Sequence, residues 1–216
     1  MQDETAQTKE KPNLNAVRSA AMLACVAAFG LGRLWQVPLT TLILALAGAM
    51  VVLALLFELR LLRSLFAFSL RDVLFALAVG ILVYVLLSWA RRVLPDVMPI
   101  SGLWLGRLAS RASAVPVWLA GPAGAIVLVP AEELFWRGFV LRRLAVRLGP
   151  VAGVTIAAAA YAIFWTAALD PLVGGAAALC GLAFGVMTVR SKSLVPAMAG
   201  HALLWILAVS VMPLYR

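Results

Sequence analysis

VLFALAVGILVYVLLSWA, residues Val73–Ala90, is an uninterrupted apolar run without a charged side chain. A helix needs roughly 17–25 apolar residues to cross the hydrocarbon core of a bilayer, so this run predicts a transmembrane helix. Other apolar runs of similar or shorter length occur at Ser19–Gly32, Val37–Phe57, Val115–Leu128, Val151–Ala168, Leu172–Val189 and Leu194–Leu214. The sequence therefore predicts an all-α, polytopic bundle of transmembrane helices with about seven spans, with about six or eight as the alternatives.

One stretch does not fit the pattern of long apolar runs. Residues Arg91–Ala114 mix apolar side chains with four arginines, two prolines and Trp104. Such a composition is typical of a half helix that lies in the membrane interface. If this stretch instead enters the membrane, the orientation of every later span is reversed.

The composition excludes a soluble domain. Of the 216 residues, 64% are hydrophobic and 12% are charged, and the mean hydropathy is +1.04, which leaves too little polar surface to cover a core. The net charge of +9 comes from lysines and arginines that lie between the apolar runs. There they set topology and contact anionic lipid head groups, so membrane lipid is the expected partner and nucleic acid is not.

The distribution of charge also predicts domain organisation and orientation. Residues 1–15 form a polar head without an apolar stripe, which we expect to be disordered. Residues 16–114 form the N-terminal membrane helices, and residues 115–216 form the C-terminal helices of the same membrane domain. Counting lysines and arginines on the two sides favours a cytoplasmic N-terminus.

Four ionisable residues occur within membrane-depth sequence: Glu132, Glu133, Arg137 and His201. A charge at the centre of a bilayer costs about 2.5–3.5 kcal/mol on insertion scales, so such residues usually face the bundle interior and have a function. His201 is the only histidine of the chain. Alternatively, it is a packing residue of the last apolar run.

The spacing of the acidic pair separates its two carboxylates. Pro130 suits the first turn of a helix, and Glu133 and Arg137 are then four residues apart, in the orientation that favours an ion pair. Glu132 lies about 100° around the helix from Glu133, out of step with the arginine. The two carboxylates should therefore differ in proton affinity, and Glu132 is the candidate general base. Alternatively, both carboxylates complement the helix dipole of an interfacial amphipathic helix.

The motif EExxxR, followed by a later apolar helix with a histidine, resembles the CAAX protease and bacteriocin-processing (CPBP) family of intramembrane glutamic proteases. The resemblance covers about Val115–Leu214, the C-terminal half of the chain. The second motif of the family is an aromatic residue followed four residues later by histidine; its nearest match is Tyr161 followed by Trp165, where tryptophan stands in place of the histidine. The third motif is histidine followed four residues later by asparagine or a similar residue; here His201 is followed by Trp205, so the asparagine is missing.

The resemblance implies roles for these residues. Glu132 would activate the attacking water, supported by Glu133 and Arg137, and His201 would serve water activation or the oxyanion. Trp165 cannot act as a base because an indole has no acceptor lone pair, whereas the indole N–H of Trp205 could donate to an oxyanion. Side chains that could form an aromatic wall around the carboxylates, with core packing as the alternative, are Trp136, Tyr161, Trp165 and Trp205.

The resemblance therefore predicts a peptide hydrolase of the bacterial plasma membrane. It would be an intramembrane glutamic endopeptidase that cleaves near the terminus of a lipidated or membrane-anchored protein, in a C-terminal sorting or processing system. No cofactor and no metal are expected, because two carboxylates and one histidine fall short of the usual zinc ligands and HExxH is missing.

Two alternatives follow from the same residues. The altered second and third motifs favour a catalytically impaired relative that serves as a membrane scaffold or binds a partner protein. Cys180, Arg190 and His201 could instead form a cysteine hydrolase, although Cys180 lies in a glycine-rich packing run and reactive thiols need a partly exposed, electropositive setting.

Overall fold

The computed structural model describes Gly48, residues 65–113 and residues 117–214, with the side chains of 111–119 left out. The predicted polar head 1–15 and the run Ser19–Gly32 lie outside these residues, as does the run Val37–Phe57 apart from Gly48. All regular elements in the described part of the chain are helices, in agreement with the predicted all-α class.

The first described helix, α1, spans Leu70–Val97 and contains the apolar run Val73–Ala90. The hydroxyl of Ser69 caps it by accepting a hydrogen bond from the backbone N–H of Asp72 at 3.3 Å. Helix α2 follows at Ile100–Ser113. The mixed stretch is thus divided, because its first residues continue α1 and the remainder forms a helix about 21 Å long, too short to cross a bilayer upright.

Helix α3 runs without interruption over residues 117–148 and carries the acidic pair. Three α-helical segments alternate with two π-helical ones, in the order Val117–Ala123 (α), Gly124–Leu128 (π), Val129–Glu132 (α), Glu133–Leu141 (π) and Arg142–Leu148 (α). Pro130 lies in the first turn of the α-helical segment Val129–Glu132, as the sequence predicted, but this segment is part of a longer helix. Pro130 therefore lies inside a longer helix, between two π-helical segments. Proline has no backbone N–H to donate, and the neighbouring π-helical segments already depart from the regular α-helical hydrogen-bond pattern.

Helices α4, Pro150–Ala168, and α5, Pro171–Ser191, form an antiparallel hairpin. A Cβ atom on Gly181 would lie 2.8 Å from the Cα atom of Ala158, so the two backbones approach closely only because this residue is glycine. The carboxylate of Asp170 caps α5 by accepting from the backbone N–H groups of Leu172 and Val173.

Helix α6 comprises α-helical Val195–Ile206 and π-helical Leu207–Val211. It crosses α1 where Gly80 and Gly200 meet, and a Cβ atom on either glycine would overlap backbone of the other helix. This close crossing fixes the part of α6 that carries His201, because Gly200 is its immediate neighbour.

Three of these helices, α1, α4 and α5, are long and apolar enough to cross a membrane, and α6 is a shorter apolar helix. Many large apolar side chains of α1 are exposed, among them Leu74, Phe75, Leu82 and Trp89. The described residues thus form an all-helical membrane bundle, and the count of about seven spans is not confirmed.

Candidate active site

The four ionisable residues predicted from the sequence meet in the interior of the bundle. The exposed fractions are 1% for Glu132, 0% for Glu133, 3% for Arg137 and 5% for His201. Helix α3 supplies the first three and α6 supplies the histidine. The interfacial alternative, in which the two carboxylates face lipid head groups, is incompatible with this burial.

Glu133 forms the expected ion pair with Arg137. The Nη1 atom of Arg137 lies 3.1 Å from Oε1 of Glu133. The other terminal nitrogen, Nη2, donates to the backbone carbonyl of Cys180 on α5 at 3.1 Å. The arginine therefore compensates the charge of Glu133 and joins α3 to α5 in a region where an unpaired charge would be costly.

His201 is held by Glu133 as well. Its Nδ1 atom lies 2.8 Å from Oε1 of Glu133, and its ring stacks on Phe184 with a centroid distance of 5.3 Å and an interplanar angle of 20°. Because an ionised carboxylate can only accept a hydrogen bond, Nδ1 carries the proton and donates it to this bond. The orientation of the ring is thereby fixed, and Nε2 is turned toward the second carboxylate.

Glu132 has different partners from its neighbour. Its Oε2 atom accepts a hydrogen bond from the hydroxyl of Tyr161 at 2.7 Å and lies 3.9 Å from Nε2 of His201. Its Oε1 atom is buried and has no hydrogen-bond partner among the described residues. The predicted division, with one carboxylate paired to arginine and the other not, agrees with these contacts.

The gap between Glu132 and His201 has a chemical consequence. At 3.9 Å the two atoms are too far apart for a direct hydrogen bond. When His201 is neutral, both Nε2 and the carboxylate oxygen are acceptors, and a water molecule can donate one hydrogen to each. The arrangement can therefore orient a water molecule between a carboxylate and an imidazole.

Three of the four predicted aromatic residues cluster beside the carboxylates. The ring centroid of Trp136 lies 5.1 Å from that of Tyr161, and Trp165 meets Tyr161 edge-on at 6.4 Å. The guanidinium carbon of Arg137 lies 4.8 Å from the centre of the Tyr161 ring, within the range of a cation–π contact. The hydrogen bond from Tyr161 to Glu132 is a contact within the candidate site that sequence reasoning missed.

Trp205 does not join this group through its polar atom. Its indole N–H donates to the backbone carbonyl of Ala120 at 2.9 Å. A Cβ atom on Gly124 would overlap the same indole, so the ring lies in a slot on α3 that only glycine permits. In this position the N–H is already engaged and is not available to an oxyanion.

The residues of the cysteine alternative are not brought together. Cys180 is buried, and Arg190 is exposed near the end of the same helix, about 15 Å further along its axis.

Between residues 65 and 113 and between 117 and 214, no group of three His, Cys, Asp or Glu side chains could hold a metal ion.

The comparison with protein families matches the segment that carries this site. The family model described as type II CAAX prenyl endopeptidase Rce1-like matches residues 113–207, which include Glu132, Glu133, Arg137 and His201. Neither a curated protein nor a solved structure matches the chain. The match confirms, over residues 113–207, the resemblance to the CPBP family of membrane proteases that the sequence motifs indicated.

Proposed function

We propose that the protein is an intramembrane glutamic endopeptidase that hydrolyses a peptide bond near the terminus of a lipidated or membrane-anchored protein. One observation carries the proposal: Oε2 of Glu132 and Nε2 of His201 face each other at 3.9 Å inside the bundle. Both groups have the chemistry to accept a proton or a hydrogen bond from water, and the family is one of proteases.

Hydrolysis at this site would begin with a water molecule held between the two groups. Glu132 removes a proton from it while Nε2 of His201 accepts its second hydrogen in a hydrogen bond. The water oxygen forms a bond to the carbonyl carbon of the substrate and the carbonyl oxygen takes up the negative charge. When the C–N bond breaks, the proton on Glu132 passes to the leaving amine, so that the carboxylate is regenerated.

The charges around the site support this division of roles. Glu133 is engaged by Arg137 and by His201, so its negative charge is shared by two nitrogen donors. Glu132 has no arginine within ion-pair distance among the described residues, and the donor to its carboxylate is the neutral hydroxyl of Tyr161. The carboxylate without a paired guanidinium is the better proton acceptor, because a neighbouring positive charge stabilises the ionised form and so opposes protonation.

The setting of the site in an apolar bundle favours a substrate that is itself in the membrane. Many large apolar side chains of the described helices are exposed, which suits lateral approach of a lipidated or anchored protein. We place the protein in a bacterial plasma membrane with a cytoplasmic N-terminus, where a C-terminal sorting or processing system would supply such substrates.

A second function is favoured by the two tryptophans that replace polar residues of the family motifs. Trp165 packs in the aromatic cluster, and the N–H of Trp205 is bound to Ala120. An enzyme without these groups would lack one imidazole and one oxyanion donor. The alternative is therefore a catalytically impaired relative that serves as a membrane scaffold or binds a partner.

A cleavage assay distinguishes the two functions. The full-length protein is reconstituted in liposomes of bacterial phospholipid with a panel of prenylated and acylated reporter peptides, and the fragments are detected by mass spectrometry. The endopeptidase is expected to lose cleavage in Glu132→Gln and to keep it in Cys180→Ser, which changes another buried residue by one atom. Cleavage by Glu132→Gln at the wild-type rate, or no cleavage by the wild type of any reporter, would overturn the proposal.

A further inference from the structure

We infer that Tyr161 is a positioning residue for Glu132: its hydroxyl fixes the rotation of the Glu132 carboxylate and thereby directs Oε2 at His201. The inference rests on the proposed function and assigns it a residue beyond the acidic pair, the arginine and the histidine. It starts from the contact of 2.7 Å between the hydroxyl oxygen of Tyr161 and Oε2 of Glu132.

The length of this contact indicates a strong hydrogen bond. Hydroxyl donors approach carboxylates to about 2.5–2.7 Å when the acceptor is ionised. Both residues are buried, so bulk solvent does not compete for this bond, and the bond joins α4 to α3.

Tyr161 is itself held rigidly, so it can impose an orientation on its partner. Its ring lies under the guanidinium of Arg137 and contacts the rings of Trp136 and Trp165. Arg137 is in turn fixed by its ion pair with Glu133 and by its hydrogen bond to the backbone carbonyl of Cys180. A carboxylate on a flexible side chain would otherwise sample several rotations, and only some of them place an oxygen opposite Nε2.

The bond also affects the readiness of Glu132 to accept a proton. A donor to the ionised carboxylate stabilises that form, and an oxygen that accepts one hydrogen bond still has a second lone pair for water. The Tyr161 hydroxyl thus favours the ionised form of Glu132 in an apolar setting, while leaving acceptor capacity for the reaction.

The test compares two tyrosines in the reconstituted cleavage assay. Tyr161→Phe removes the hydroxyl that donates to Glu132. The matched control, Tyr84→Phe, removes a partly buried hydroxyl that donates to the backbone carbonyl of Met212 at 2.9 Å. We expect Tyr161→Phe to lower kcat roughly 10- to 100-fold, the range for losing a hydrogen bond to a charged group, with KM changed less than about twofold. The acid limb of its pH–rate profile should move to higher pH. Tyr84→Phe should leave kcat within about threefold of wild type and the profile in place.

Three results decide the inference. Equal kcat values and equal pH profiles for Tyr161→Phe and Tyr84→Phe would overturn the inference about Tyr161. If Glu132→Gln is inactive in the same assay, the proposed function still stands. Wild-type cleavage by Glu132→Gln would instead overturn the proposed function. If Tyr161→Phe does not fold, a fluorine on the Tyr161 ring beside the hydroxyl strengthens the hydrogen-bond donor without removing it. The acid limb of the pH–rate profile should then move to lower pH. An acid limb that does not move would contradict the inference.

Discussion

The imidazole of His201 donates through Nδ1 to Oε1 of Glu133 at 2.8 Å, and this bond turns Nε2 toward Glu132. One carboxylate of the acidic pair therefore orients the histidine, and the other shares a gap with it. A base that is oriented by a third group is a recurrent arrangement in hydrolases.

The first prediction concerns this orienting bond. Glu133→Gln removes the acceptor charge that fixes the proton on Nδ1, so kcat should fall at least about 100-fold. The same change leaves the buried Arg137 uncompensated, which should lower the free energy of unfolding by about 3–5 kcal/mol. Cleavage kinetics and thermal unfolding in detergent measure the two effects.

A double variant separates stability from activity. Because replacing both members of a buried ion pair is often close to neutral, Glu133→Gln combined with Arg137→Met should recover most of the lost stability. It should not recover kcat, since the histidine still lacks its carboxylate. Recovery of both quantities would show that Glu133 has only a structural role.

The second prediction concerns the crossing of α1 and α6. Gly200→Ala places a methyl group against the carbonyl of Ala76 and the ring of Phe184, which stacks on His201. Overpacking of this kind should cost about 1–3 kcal/mol of stability and displace the histidine. The control is Gly175→Ala on α5, where a Cβ atom meets nothing within 4 Å and the helix should gain about 0.4–1 kcal/mol. Equal unfolding midpoints for the two variants would contradict the packing described for this crossing.

The third prediction tests Trp205. Trp205→Phe keeps an aromatic ring but loses the hydrogen bond to Ala120, so stability should fall by about 0.5–1.5 kcal/mol while kcat stays near the wild-type value. An oxyanion donor would behave differently, because losing one lowers kcat by about 10²–10³-fold. A large loss of kcat with unchanged stability would therefore restore the role that the sequence predicted for this residue.

The fourth prediction concerns topology. The antiparallel hairpin of α4 and α5 places Arg147 and Lys192 at one face of the membrane and Pro171 at the other, since α4 is about 28 Å long. Single cysteines at these positions, in a background with Cys25→Ser and Cys180→Ser, should react with an impermeant maleimide from opposite faces. Arg147→Cys and Lys192→Cys should label from the cytoplasm, and labelling of all three from one face would rule out the hairpin as a span.

Local features of the site could be predicted from the sequence. The spacing of Glu133 and Arg137 predicted their ion pair, because residues four apart share a face of a helix. The burial of the acidic pair followed from the apolar runs around it, and the histidine followed from its position in the last run. The apolar run Val73–Ala90 likewise predicted α1.

Long-range features could not be predicted in the same way. The bond between Tyr161 and Glu132 depends on how α4 is rotated against α3, which no local spacing determines. Trp205 follows His201 by four residues, and its indole N–H was expected to donate to an oxyanion. The indole instead reaches across to α3 through the space left by Gly124. The π-helical segments of α3 were missed because apolar periodicity does not distinguish them from α-helix.

Joint action of Glu132 and His201 on one water molecule is tested most directly by a double-mutant cycle in the reconstituted cleavage assay, with Glu132→Gln, His201→Gln and the double variant. Groups that activate the same water act as a unit, so the double variant should be no slower than the slower single variant. Losses that multiply, or a Glu132→Gln variant as fast as the wild type, would contradict a shared water at the centre of the bundle.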